Sequence, residues 1–441
     1  MATTVTQKDI NRLAIPAIIA GIAEPVISLA DTAIIGRIGT TELAAVGLAS
    51  SFYMLVIWVL SSIRSAAGSI VAQQIGRGDQ KGIRSLVPQA VLMSALMGLV
   101  FLVLSNVFTV QIFKAYEASG MLLEQAVSYF KIRSFGFPLS MATFMLFGIF
   151  RGYQNTLLAM YISIAGGICN IILDFALIFG VGNVIPAMGV EGAAWATLMS
   201  QVLMLVLAVY MLLKHIGVRF SKKLHPQLKS LTTMSIDLIL RTAALNIAYY
   251  LANRFSTMYG TTFIAAHTIA MNLWLFSAFF LDGYASAANA LAGKLKGENN
   301  YAELYRVGKV VAKICLIASV VLAVVFTGGY KFWGSLFTTE AAVLKVFEMV
   351  FWLVILCQPI NALAFTMDGV FKGTGDTRLL RDVLILSIGL GFVPVIYGTD
   401  YLGWHIYSVW TAFIIWMMFR AGFLMYKFRQ KFGTELAVVQ K

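Results

Sequence analysis

Charge is scarce in this chain: Asp, Glu, Lys and Arg make up 12% of its 441 residues, against 59% hydrophobic residues and a mean hydropathy of +0.83. So little charge excludes a soluble domain, because the apolar surface outruns any core that could hide it, and it places the chain in a bilayer. Cysteine is nearly missing. Cys169, Cys315 and Cys357 are odd in number, sit in apolar runs and lack metal-type spacing, so they imply no disulfide framework and no metal site, and each reads as a small buried hydrophobe. Of the four histidines, His267 and His405 have no metal-like neighbours, and each reads as a satisfied histidine of a helix bundle. An intramembrane enzyme such as an acyltransferase needs a nucleophile or acid beside such a histidine, and no such pairing is present. No glycine-rich loop ends in Lys-Ser or Lys-Thr, which excludes a nucleotide-driven pump. Neither an enzyme nor a cofactor is expected.

The charge that is present is unevenly placed. The formal net charge of +13 suggests nucleic acid in a soluble protein, but here the basic residues cluster in alternate loops. Arg77, Lys81 and Arg84 form one group; Lys214, Arg219, Lys222, Lys223 and Lys229 another; Lys427, Arg429 and Lys431 a third. The intervening loops hold little beyond Arg37, Lys114, Arg254, Lys331 and Lys345. The positive-inside rule therefore makes the rich loops and both termini cytoplasmic, so the number of spans is even and no nucleic-acid partner is implied. Apolar runs long enough to cross a hydrocarbon core of about 30 Å are read at 10–38, 42–73, 83–113, 118–148, 155–180, 190–213, 231–258, 262–293, 302–327, 340–371, 378–397 and 403–426. That is twelve helices. The first run follows Lys8 and Arg12 but contains Pro16, Glu24, Pro25 and Asp31, which marks a span and not a cleaved signal.

The chain is one unit written twice. Gly148-Ile149-Phe150-Arg151-Gly152 with Thr156 recurs 221 residues later as Gly369-Val370-Phe371-Lys372-Gly373 with Thr377, and Pro138 matches Pro359 at the same offset. Gly39-Thr40-Thr41 and Gly260-Thr261-Thr262 keep that register. The expected domains are 1–213 and 231–441, two six-helix bundles joined by a cytoplasmic linker at 214–230. Six crossings per copy make the repeat parallel, and two such halves are expected to flank a central cavity, the plan of a secondary transporter. Proline inside a span leaves a carbonyl without its helical donor, giving a static kink or a hinge.

A carboxylate near the bilayer centre costs about 2.5–3.5 kcal/mol on insertion scales, so each needs a partner, a cavity or a function. Asp31 lies eight residues before the turn at Gly39 and Asp174 six before that at Gly180, which puts both about 9–12 Å below the outer surface. Asn170, four residues before Asp174, shares its helix face and can hydrogen-bond either form of a carboxyl. Two acids in one desolvated pocket cannot both ionise cheaply, so one holds a proton until another cation replaces it. The alternative is a core network that only ties the first and fifth helices together. Arg241 and Asp282 lie at similar depth on consecutive helices and read as a salt bridge, and Arg64 reaches toward Glu24.

These features together resemble the multidrug and toxic compound extrusion (MATE) transporters, most of all their DinF-like branch. The resemblance covers nearly the whole chain and is carried by the duplicated halves, Ala30-Asp31-Thr32, the segment from Asn170 to Asp174, and Met367-Asp368-Gly369-Val370-Phe371-Lys372-Gly373. It implies a monomeric, multi-pass antiporter of the plasma membrane that exports organic cations or other amphiphiles in exchange for H+ or Na+. It further implies that Asp31, Asn170 and Asp174 form the cation site of the first half, lined by Tyr129 and Thr197. The NorM-like branch pairs an acid in the tenth helix with one in the seventh. Here the seventh offers Asp237, Asn246 and Asn253 but no glutamate, which leaves Asp368 as a gate or a helix-end cap. A flippase for lipid-linked saccharides is the neighbouring alternative. Such proteins line their cavity with several cations, for which the sequence offers Arg64, Arg241 and Arg254.

Overall fold

A computed structural model describes the backbone of residues 5–433, and the side chains of these except 23–33 and 40. The helices are α1 (Gln7–Ile35), α2 (Thr40–Leu60), α3 (Ile63–Gly76), α4 (Gln80–Val107), α5 (Thr109–Ala115), α6 (Gly120–Ser134), α7 (Gly136–Gly152), α8 (Thr156–Phe179) and α9 (Gly189–His215). They continue with α10 (Gln227–Met258), α11 (Thr261–Gly297), α12 (Tyr301–Gly328), α13 (Tyr330–Ser335), α14 (Ala341–Thr374), α15 (Thr377–Ser387), α16 (Val393–Tyr401) and α17 (Ile406–Phe428). Among the described residues no strand forms, and ten helices are long and apolar enough to cross a membrane. The bent pair α6–α7 supplies an eleventh span. With α1, 29 residues long, the expected twelve are reached.

The lipid-facing surface follows from the same composition. On α4, Leu92, Leu96, Leu99 and Val103 recur at helical spacing and are all exposed, as are Val320, Val321 and Val324 on α12. Exposed apolar stripes of this kind are stable only against lipid, where the helical backbone satisfies its own hydrogen bonds.

The chain divides into two compact units, Ile19–Thr233 and Met1–Ile18 with Met234–Lys441. The first is built around Tyr53, Phe113, Phe130 and Phe137; the second around Trp274, Phe347, Phe351, Trp410, Phe413 and Trp416. The segment 214–230 folds back on the first unit: the amide of His225 donates to Gln89 Oε1 (2.8 Å), and Gln89 Nε2 donates to the Lys223 carbonyl (2.9 Å).

The duplicated motif has one physical role in both units, close approach of two helix backbones. A Cβ on Gly148 would collide with the carbonyl oxygen of Arg64, and one on Gly152 would lie 2.8 Å from that of Gly68. In the second unit Gly369 abuts the carbonyl of Ala285 and Gly373 that of Asn289. Arg64 and Ala285, like Gly68 and Asn289, are themselves 221 residues apart. Small residues four apart let helices pack backbone to backbone, which in lipid substitutes for hydrophobic driving force.

The halves differ in where their helices break. The span read at 42–73 is interrupted at Ser61–Ser62, between α2 and α3, and the span read at 118–148 bends by 41° between α6 and α7. Pro138 has no N–H for the Ser134 carbonyl, and Gly136 beside it lowers the cost of leaving the helix. The equivalents in the second unit, Cys357 and Pro359, lie inside the uninterrupted α14, and α11 runs through Asp282–Gly283 without a break. Near Pro394 the helix instead widens into a π-helical turn, Ile388–Phe392, a common way of absorbing a missing donor.

Candidate functional site

The first unit holds a cavity of about 150 Å³. Arg64, in the first turn of α3, and Arg133, in the last turn of α6, stand beside the two breaks, and Arg151 ends α7; all three line the cavity. Between them lie Tyr53, Ser140, Thr143, Asn170, Thr197 and Gln201. Tyr53 stacks on Phe137 with centroids 4.6 Å apart and carries the Arg133 guanidinium 3.8 Å from its ring centre. Gln201 Nε2 donates to the Tyr53 hydroxyl (3.4 Å), which is also 3.4 Å from Ser140 Oγ. A Cβ at position 136 would overlap Gln201 Oε1 and lie 2.9 Å from Arg133 Nη1, so the ends of these side chains would have to shift to admit one. Arg64 sits 5.8 Å from the centre of the Phe144 ring.

Asn170 and Asp174 are both buried on α8, and Asn170 Nδ2 donates to Asp174 Oδ2 at 3.3 Å. The helix ends six residues later at Gly180, whose φ of 79° is open to glycine but not to a β-carbon-bearing residue without strain. Asn170 reaches the cavity wall, so the carboxylate of Asp174 touches the cavity through a carboxamide. Asp31, with Glu24, lies outside the described residues. Thr197 lines the cavity and donates to the Ala193 carbonyl (2.9 Å). Tyr129 is buried with its hydroxyl 3.3 Å from Ser50 Oγ and is not among the lining residues.

In the second unit the charges close on themselves. Asp368, expected as a gate or a helix-end cap, is buried among three cations: Arg241 Nη2 at 2.7 Å, Lys372 Nζ at 2.8 Å and Arg420 Nη2 at 3.0 Å. Arg241 therefore pairs with Asp368 and not with Asp282 as its depth suggested; depth places residues along a helix but not on its face. Asp237 is likewise engaged, by Arg381 (2.6 Å) and the Thr377 hydroxyl (2.9 Å). His267, expected to be satisfied, is fully buried with neither ring nitrogen hydrogen-bonded, and its ring faces Trp410 at 5.5 Å. No group of His, Cys, Asp and Glu among the described residues is arranged to hold a metal.

Arg133 escaped the sequence reading. It falls in the middle of the span read at 118–148, and an arginine at such depth is itself a functional signal.

A duplicated bundle of membrane helices with an ionisable cluster in each half defines a secondary transporter. The MatE family profile matches the chain twice, over residues 16–176 and 238–397, once per half, and the chain belongs to that family. It is a transporter and not an enzyme. Among its relatives, Protein DETOXIFICATION 44, chloroplastic, of Arabidopsis thaliana is 29% identical over 93% of this chain and 80% of its own length. DNA damage-inducible protein F of Escherichia coli (strain K12) is 24% identical over 95% and 91%. The probable multidrug resistance protein NorM of Thermotoga maritima is 25% identical over 94% and 90%. Among solved structures, MATE in the bent conformation superposes with a TM-score of 0.91 at 21% identity, covering 99% of this chain and 97% of that one. The fold and the family expected from the motifs are those found.

Proposed function

We propose that this chain is a secondary active exporter of amphiphilic or cationic small organic molecules, exchanging them for H+ or Na+ by alternating access. On this reading it acts as a plasma-membrane monomer with both termini in the cytoplasm. The observation that supports the coupling role is the buried Asn170–Asp174 pair at the wall of the first unit's cavity. A buried carboxylate favours a bound proton or small cation, and a carboxamide serves either state: its NH2 donates to the carboxylate, and its oxygen accepts from the protonated acid. Because Asn170 also borders the cavity, it relays the state of Asp174 to whatever occupies that space. Asp31 joins the pair on the family resemblance. The printed names of the NorM relatives, multidrug resistance proteins, favour chemically varied cargo.

Flux in proteoliposomes under separately imposed pH and Na+ gradients tests this reading. One gradient drives transport, and Asp174→Asn lowers the driven flux at least tenfold while leaving the protein folded. Driven flux that survives in Asp174→Asn removes the coupling role. One observation favours the second reading, a flippase for lipid-linked saccharides: the three arginines lining the cavity suit a phosphate-bearing lipid. Movement of a fluorescent lipid diphosphate across the bilayer without any ion gradient selects that reading over the first.

A further inference from the structure

We infer that the segment 214–230 is a docking surface for the bilayer itself, taking the headgroups of anionic lipids at the rim of the first unit. The inference goes beyond the exporter reading and stands without it, because it depends neither on the cargo nor on the coupling ion.

The segment carries Lys214, Arg219, Lys222, Lys223 and Lys229 and no aspartate or glutamate. Arg219, Lys222 and Lys223 are exposed, and among them Phe220 and Leu224 are 85% and 79% exposed. Large apolar side chains this open, interleaved with cations, have the composition of a membrane-surface segment: the cations meet anionic headgroups while the apolar groups enter the acyl boundary. A partner of opposite charge that also accepts phenylalanine and leucine is an anionic lipid surface. The acid of the adjoining turn, Asp79, is used as a cap, its Oδ1 accepting from the Gly82 amide at 2.8 Å.

The fold shows where this surface lies. Gln89 of α4 holds the segment by three bonds: its Nε2 donates to the carbonyls of Lys223 (2.9 Å) and Ser221 (3.4 Å), and its Oε1 accepts from the His225 amide (2.8 Å). The Arg219 amide donates to the Arg84 carbonyl of the same helix (2.9 Å), and Ser221 Oγ accepts from the Lys223 amide (3.2 Å). The segment is therefore a built loop, and Phe220 and Leu224 each adjoin a residue that Gln89 holds. Gln89 shares its helix face with Leu92, Leu96, Leu99 and Val103, the exposed apolar stripe of α4. Leu92 follows three residues later, about 4.5 Å along the axis. The loop is thus fastened to the end of a lipid-facing stripe, where hydrocarbon gives way to headgroups. The end of α9 marks the same level: Tyr210 is exposed, with Lys214 Nζ 5.8 Å from its ring centre, a pairing suited to the interface.

The test is hydrogen exchange of the full-length protein in nanodiscs, read by mass spectrometry on peptides covering 214–230, in phosphatidylcholine with and without phosphatidylglycerol. Phosphatidylglycerol should slow exchange in the segment about fivefold or more at low salt, and much less at high salt. Lys222→Gln combined with Lys223→Gln should lose most of that slowing and Phe220→Ser part of it, while Lys309→Gln, at an exposed cation of α12, should keep it. Gln89→Ala leaves every charge in place and should also lose the slowing, since the loop is then no longer fastened to α4. Equal exchange in the two lipids, as a second copy or an acidic protein as the occupant would give, overturns the inference. So does undiminished slowing in the lysine or Gln89 variants. Inorganic phosphate added to phosphatidylcholine discs should change nothing; slowing equal to that by phosphatidylglycerol would assign the surface to a soluble anion and overturn the inference as well.

Discussion

The two halves of this chain share their helix-packing motif and differ in where their helices break and in one register position, Asp368 in the second half against Phe147 in the first. In both, glycines four apart press one helix backbone onto another at the same register. In the second half the equivalent helices α11 and α14 run unbroken, and three cations close on Asp368. In the first, the helices break beside Arg64 and Arg133, and the arginines face a cavity. The two copies thus keep one scaffold and differ in the continuity of the helices built on it. Irregular backbone at membrane depth is tolerated where it lines a cavity, and the residues beside both breaks of the first half, Arg64 and Arg133, line one.

The largest effect is expected where the comparison is most asymmetric. Asp368→Asn strands Arg241, Arg420 and Lys372 without their shared carboxylate, and breaking a buried pair of this kind costs about 3–5 kcal/mol. Size-exclusion chromatography and thermal unfolding should show a strongly destabilised or aggregated protein. A mild effect would mean that the cluster is not what holds α10, α14 and α17 together. Next come the shared glycines. Gly148→Ala and Gly369→Ala each force a Cβ against a backbone carbonyl, an overpacking worth about 1–3 kcal/mol. Similar losses in both variants sharpen the claim of a common scaffold, whereas a loss in only one breaks it.

The smallest effect concerns the linker. Burial lowers the pKa of His225 from its ordinary 6.5, and its Nδ1 accepts from the Gln227 amide at 3.2 Å. The folded linker therefore favours neutral His225. Its contribution is present above pH 6.5 and lost as the pH falls through the lowered folded value, where a protonated Nδ1 no longer accepts. Limited proteolysis within 214–230 should accelerate on acidification, and less so in His225→Asn.

Much of this was legible in the sequence, for physical reasons that can be named. The repeat was visible because backbone contact admits only glycine at Gly148, Gly152, Gly369 and Gly373. The Asn170–Asp174 bond was visible because residues four apart share a helix face. Arg133 was hidden because the break at Phe135 that makes it a cavity residue depends on Gly136 and Pro138 acting together, while Pro359 alone leaves α14 intact. The partner of Arg241 was hidden because helix depth can be counted along the chain, but which neighbour a face meets is fixed by packing. Tyr129, matched by the family pattern, stands against Ser50, one helical turn before the lining residue Arg133.

The most direct test asks whether the buried Asn170–Asp174 pair at the wall of the first unit's cavity couples transport to an ion. Flux in proteoliposomes under one imposed gradient, of pH or of Na+, should be strong in the unmodified chain and largely lost in Asp174→Asn, with the thermal unfolding midpoint of the variant near that of the unmodified chain. A variant that unfolds normally and keeps its gradient-driven flux would contradict the account.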